Sequence, residues 1–142
     1  MPLYESLHRT AGCELSLYVH GGPHECSVGV DITPSGVAEH LPPGDTAAAI
    51  LAGVGEFLAE KSPDYLVILG DRFEMLAAAH AAILRSVPII HIGGGYLTFG
   101  AFDDQVRHAI TKLSVLHLAA SEDCVARIVQ MGEAPASVFN VG

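Results

Sequence analysis

Apolar residues recur along this chain in two alternating rhythms: short unbroken runs of strand length, and longer stretches repeating every three or four positions. Tyr65 to Leu69, Val87 to Ile92, Val115 to Ala119 and Ser137 to Val141 are of the first kind and predict buried strands. Between them lie helical patterns. Asp45-Thr46 offers an N-cap for a helix through Ile50, Leu51, Val54, Phe57 and Leu58, closed by Ser62-Pro63. An alanine-rich helix is expected from about Arg72 to Arg85, and another from Asp103 to Leu113 with Val106, Ile110 and Leu113 inward. Ser121 caps a last helix through Val125, Ile128 and Val129 to Met131-Gly132. At the start, Leu3 to Ala11 can form a helix and Glu14 to Val19 a strand. From His20 to Gly44 glycine, proline, histidine and short polar residues predict a long surface loop, with a short helical piece near Val37.

Strands alternating with helices imply an α/β fold: a parallel sheet with helices on both faces. In such folds ligands gather outside the C-terminal ends of the strands, near a topological switch point. Asp71 and Gly93-Gly94-Gly95 both follow a predicted strand directly. No internal repeat, low-complexity tract or linker divides the sequence, so residues 1–142 are read as one domain.

Composition narrows the partners. Half of the 142 residues are apolar and only 6% aromatic, which suits packed strands and helices and argues against disorder. The formal charge of −9, with seven Lys and Arg in total, opposes a nucleic-acid role, because that affinity rests on neutralising phosphates. A small anion can still be held locally by an arginine, a glycine-rich turn or a helix N-terminus. Cys13, Cys26 and Cys124 are too scattered for a zinc knuckle or a disulfide framework. No apolar run approaches the length of about 20 residues that spans a bilayer, and the N-terminus lacks a leader pattern. The expected setting is cytoplasmic, without membrane attachment.

The polar residues beside these strands carry the candidate chemistry. Asp71 can face the crevice as a base, or cap the helix that Arg72 opens, and spacing alone leaves both roles open. The three glycines either admit a ligand close to the backbone or form a plain turn. Asp103 and Arg107 share a helix face, as do Asp104 and His108, and surface ion pairing is the ordinary meaning of such spacing.

Together these residues form a longer string: GDRFEMLAAAHAAI at 70–83, HIGGG at 91–95 and GAFDDQVRHAITKLS at 100–114. This string resembles the hydrolysing UDP-N-acetylglucosamine 2-epimerases, in particular the branch serving sialic and related nonulosonic acid synthesis. R-H-A-I-T-K is its most specific part, and the likeness runs from about Pro63 to Gly142. The resemblance implies a two-domain, GT-B-like enzyme of Rossmann-like, doubly wound halves, with a UDP-sugar in the cleft and neither metal nor redox cofactor. It implies removal of the C2 proton, expulsion of UDP from C1, and addition of water to release N-acetylmannosamine. On the matching positions it makes Asp71, Asp103 and Arg107 catalytic, with Arg107 orienting Asp103 or meeting substrate charge. Arg72, Gly94, Gly95 and His108 become substrate-binding residues. A homo-oligomer is compatible with the complete enzyme.

The sequence also departs from the family. Gly93 and Tyr96 stand where the H-I-x-G-G-x segment usually carries glutamate. The family opens with a strand and a G-T-R turn, whereas Met1 falls within the first helix, and Gly142 lies about where the first domain gives way to the second. A fragment of the N-terminal domain is therefore expected. The rival expectations are a sugar-nucleotide-binding or interaction protein without turnover and, lower in rank, a two-domain glycosyltransferase.

Overall fold

A computed structural model of the chain describes residues 16–19, 31–34, 41–98 and 102–142. The helix expected at Leu3 to Ala11 and the helical piece near Val37 lie outside them.

Two short strands, β1 (Ser16–Val19) and β2 (Asp31–Pro34), pair in parallel. β1 falls within the expected Glu14 to Val19 strand. β2 interrupts what the sequence presents as one loop, since a four-residue strand beginning with Asp and ending with Pro carries little strand propensity. Proline is tolerated at such a strand end.

Helix α1 (Pro43–Lys61) follows. It begins ahead of the expected cap: Pro42 is the N-cap residue and Pro43 occupies the first turn, where a missing N–H and a fixed φ cost nothing. Asp45 and Thr46 sit inside that turn instead, with the Thr46 hydroxyl donating to the Leu41 carbonyl at 3.2 Å. At the far end Ser62 takes a left-handed conformation, φ 46°, and its N–H closes on the Leu58 carbonyl at 2.9 Å.

The main sheet contains β3 (Leu66–Leu69), β4 (Ile89–Ile92), β5 (Leu116–Ala119) and β6 (Val138–Asn140), all parallel and side by side in chain order. Each neighbouring pair is joined through a helix: α2 (Phe73–Leu84), α3 (Asp103–Leu113) and α4 (Glu122–Gln130). A short 3₁₀ turn, Pro135–Ser137, precedes β6. This is the expected parallel α/β architecture.

Register partners in a parallel sheet point to the same side, so the two faces can be read from the pairing. One face carries Ile68, Ile89, His91, His117, Ala119 and Val138, each buried. Ile50, Val54, Phe57 and Leu58 of α1, the alanines of α2, and Val106 and Ile110 of α3 join Ile68 and Ile89 in one core. Cys124 and Ile128 of α4 pack with Ala119 and Val138 in another. The second face is also apolar: Val67, Leu69, Ile90, Ile92, Leu116, Leu118 and Phe139. On it Leu69 is 59% exposed. All four described helices thus pack on the first face, so the helices expected on the second face are not found among the described residues. The buried alanines 77, 78, 79, 81 and 82 carry little bulk, which lets α1 and α2 approach closely in that core.

Candidate active site

Parallel order brings the C-terminal ends of β3 and β4, and the start of α3, to one edge of the sheet. Gly70-Asp71 leaves β3, Gly93 to Thr98 leave β4, and Asp103 opens α3. Gly70 turns the chain at φ 92° while its N–H still bonds to the Ile92 carbonyl at 3.1 Å.

Arg107 is the knot of this edge. Its guanidinium is almost fully buried, yet each terminal nitrogen has two partners. Nη1 donates to the Tyr96 carbonyl at 2.8 Å and to Asp104 Oδ1 at 3.0 Å. Nη2 donates to Thr98 Oγ1 at 2.7 Å and to Asp71 Oδ2. A buried guanidinium demands such company, because its charge is costly to desolvate unless paired and hydrogen-bonded. Three segments distant in sequence are thereby fixed to one another.

The pairing argues against the capping role for Asp71. Arg72 occupies the N-cap position of α2, which has no side-chain cap, and Asp71 spends Oδ2 on Arg107. Among the described residues Asp71 Oδ1 accepts no hydrogen bond, and the side chain is partly open to solvent. Asp71 is therefore a held carboxylate with one oxygen available.

The partner of Arg107 on its own helix is Asp104 rather than Asp103. Asp104 also accepts from the Thr98 N–H at 3.2 Å and lies 3.4 Å from His108 Nε2. Asp103 makes no hydrogen bond among the described residues, and its charge is felt at Arg72. Arg72 itself is exposed and forks onto Glu74 at 2.7 and 3.1 Å, which raises its pKa above the ordinary arginine value. His108 is half-buried, with Nδ1 unpartnered among the described residues.

Two of the three glycines after β4, Gly94 and Gly95, are needed for the protein's own packing. A Cβ on Gly94 would lie 3.0 Å from Thr111 Oγ1 and 3.1 Å from His91 Nδ1. One on Gly95, already at φ 82°, would meet the Cys124 carbonyl at 2.5 Å. Arg127 of α4 holds the same loop by donating to the Gly95 carbonyl. Gly93 has φ 86° but open space around it.

Two histidines that the sequence reading did not single out lie beneath this edge. His91 and His117 are register partners on the covered face and have no exposed surface. Burial pushes the His91 pKa below its ordinary value, against the opposing bond to Gly70. The imidazole is therefore neutral, and since a carbonyl can only accept, Nε2–H donates to the Gly70 carbonyl at 2.9 Å. Nδ1 faces the Thr111 hydroxyl at 3.1 Å, whose single proton is shared between it and the Arg107 carbonyl at 3.0 Å. His117 is also pushed down by burial, with Glu133 opposing; that carboxylate pairs with Lys112 and stands 3.4 Å from His117 Nε2, too long for a good hydrogen bond. The signal for both was a polar residue inside an apolar strand run, IIHI and LHLA.

Comparison with known proteins gives this edge its context. Residues 32–142 match the family model described as UDP-N-acetylglucosamine 2-epimerase. A polysialic acid biosynthesis protein of Escherichia coli is 44% identical over 92 residues, covering 65% of this chain and 24% of that protein. The GDP/UDP-N,N'-diacetylbacillosamine 2-epimerase (hydrolyzing) of Campylobacter jejuni is 49% identical over 80 residues, covering 56% of this chain and 21% of the relative. The crystal structure of the UDP-GlcNAc 2-epimerase from Neisseria meningitidis, bound to UDP-GlcNAc, superposes with a TM-score of 0.71 at 20% identity. That match covers 80% of this chain and 37% of the other, and it shows a shared fold. The chain spans about a quarter of the length of the curated relatives it matches.

Proposed function

The chain belongs to the UDP-N-acetylglucosamine 2-epimerase family, and from that premise we propose that it carries the proton-transfer half of a hydrolysing epimerase site for a UDP-N-acyl sugar. The observation that carries the reading is the Asp71–Arg107–Asp104 cluster at the C-terminal edge of the parallel sheet. That is where such folds bind ligands, and the cluster leaves one oxygen of Asp71 free.

In the proposed reaction one carboxylate, Asp71 or Asp103, takes the proton from C2 of the sugar. The C2 electron pair forms a C1–C2 double bond as the C1–O bond breaks and UDP departs. Water then adds at C1 and a proton returns to C2 from the opposite face, giving the 2-epimer. Carbon acids are weak, so the base must be aimed, and Arg107 supplies the aim by fixing Asp71. With both terminal nitrogens committed, Arg107 organises the site instead of contacting substrate. Arg72 and His108, both partly exposed near this edge, are proposed to meet the substrate, and Gly94 and Gly95 to shape the loop above it. The names of the relatives support an N-acyl sugar of the acetylglucosamine or diacetylbacillosamine kind and a place in nonulosonic acid synthesis. Among the described residues no helix is long and apolar enough to cross a membrane.

A second reading is supported by Gly93 and Tyr96 at the family's glutamate positions: a sugar-nucleotide-binding protein without turnover. Incubation of the purified chain with UDP-N-acetylglucosamine, and with UDP-diacetylbacillosamine, separates the two. Release of UDP and a 2-epimeric free sugar, lost in Asp71→Asn, supports the enzyme. Saturable UDP binding with no product supports the second reading.

A further inference from the structure

We propose that His91 is a positioning residue for this site, tying the turn that carries Asp71 to the helix that carries Arg107. The inference rests on the acid–base role proposed for Asp71, but the tie itself does not. Gly70, whose carbonyl receives His91 Nε2–H at 2.9 Å, is bonded directly to Asp71 in the chain. Thr111, which meets Nδ1 at 3.1 Å, stands one helical turn beyond Arg107 and approaches its carbonyl at 3.0 Å. The third segment of the site closes over the same pair, since Gly94 leaves no room for a methyl group between its backbone and His91 or Thr111. One imidazole thus touches the β3–α2 turn, the glycine loop and α3.

An apolar residue would satisfy the packing alone. Ile68 and Ile89 occupy the same covered face with no polar partner to reach. What only a two-ended polar side chain supplies is a fixed distance between Gly70 and Thr111. With no exposed surface, the ring acts through Asp71 and Arg107 and does not touch substrate.

The test uses two amides that divide the imidazole's roles. Glutamine places its N–H near the Nε2 position and can still reach the Gly70 carbonyl, whereas asparagine is long enough only for Thr111. Nitrogen-15 NMR of the Arg107 guanidinium in the whole chain reports the tie, because a guanidinium held at both terminal nitrogens shows separate Nη–H signals. His91→Gln, which keeps only the Gly70 end of the tie, is expected to merge those signals and to lower turnover. His91→Asn is expected to merge them and to lower kcat roughly a hundredfold, as a misaimed base does, with KM changed less than about threefold. Thr111→Val, close in shape, carries the same expectation as His91→Asn should that variant fail to fold. Unchanged Arg107 signals in a folded His91→Gln, His91→Asn or Thr111→Val would overturn the proposal. A wild-type chain that turns over no UDP-sugar, but whose Arg107 signals still merge in His91→Asn, would overturn the reaction and bear out the tie.

Discussion

Arg107 and Asp71 lie 36 residues apart in the chain and meet as an ion pair whose guanidinium is 4% exposed and whose carboxylate is 30% exposed. The asymmetry has a chemical consequence. The cation is sequestered and saturated with partners, so it serves as an anchor, while the anion keeps one face toward solvent and toward any ligand.

Removing the anchor strands its partners. Arg107→Ala leaves Asp71 and Asp104 without their shared cation, and breaking a pair this buried costs on the order of 3 kcal/mol. Arg107→Lys restores charge but supplies one nitrogen where two are used, so it should recover less than half of the loss. Urea unfolding of the three proteins, compared at equal m-values, measures both effects.

Asp103 and Asp104 are neighbours with opposite expectations. Asp104→Asn removes the charge facing buried Arg107 and should cost about 1 kcal/mol of stability. Asp103→Asn, without a hydrogen bond to lose, should change stability by less than about 0.5 kcal/mol while lowering turnover. Paired unfolding and activity measurements distinguish the two residues.

Acid should destabilise the fold through its buried histidines. His91 and His117 both have folded pKa values held below the ordinary 6.5 by burial. Above that value both folded and unfolded chains carry neutral imidazoles, and the pair contributes no pH dependence. As pH falls below 6.5 the unfolded chain takes up protons that the folded chain resists, so stability declines until the folded pKa values are passed. Thermal unfolding from pH 8 to pH 5 should show this slope, and His117→Gln should flatten part of it.

Gly95 is expected to tolerate no side chain. Its positive φ and the 2.5 Å approach to the Cys124 carbonyl act together, so Gly95→Ala must move the loop or α4. A loss of about 2 kcal/mol or more follows from strain plus overpacking. Gly93→Ala, with the same sign of φ but open surroundings, should cost only about 1 kcal/mol.

Long, strongly periodic segments were readable from sequence because burial dictates their pattern. The strand runs around Leu66, Ile89 and Leu116 and the helix carrying Val106 and Ile110 stand where that pattern puts them. Boundaries were less readable: Pro43 starts α1 ahead of Asp45 because proline at the first turn needs no side-chain cap. Strand β2 was hidden by weak propensity, its four residues including Asp and Pro. At the site, spacing suggested that Asp103 and Arg107 share a face, but the choice of Asp104 and Asp71 as Arg107's partners depends on how the loop after β4 folds back through Tyr96 and Thr98. That is a tertiary fact with no local periodicity to announce it. The roles of the glycines were likewise invisible, since close approach to His91, Thr111 and Cys124 exists only once the sheet is assembled.

The proton transfer assigned to Asp71 can be followed in deuterated water with UDP-N-acetylglucosamine as substrate, by reading the isotope at C2 of the released sugar. The account predicts deuterium at C2 of N-acetylmannosamine, formed along with free UDP, and loss of both products in Asp71→Asn. Product carrying the original hydrogen at C2, or undiminished turnover in Asp71→Asn, would contradict it.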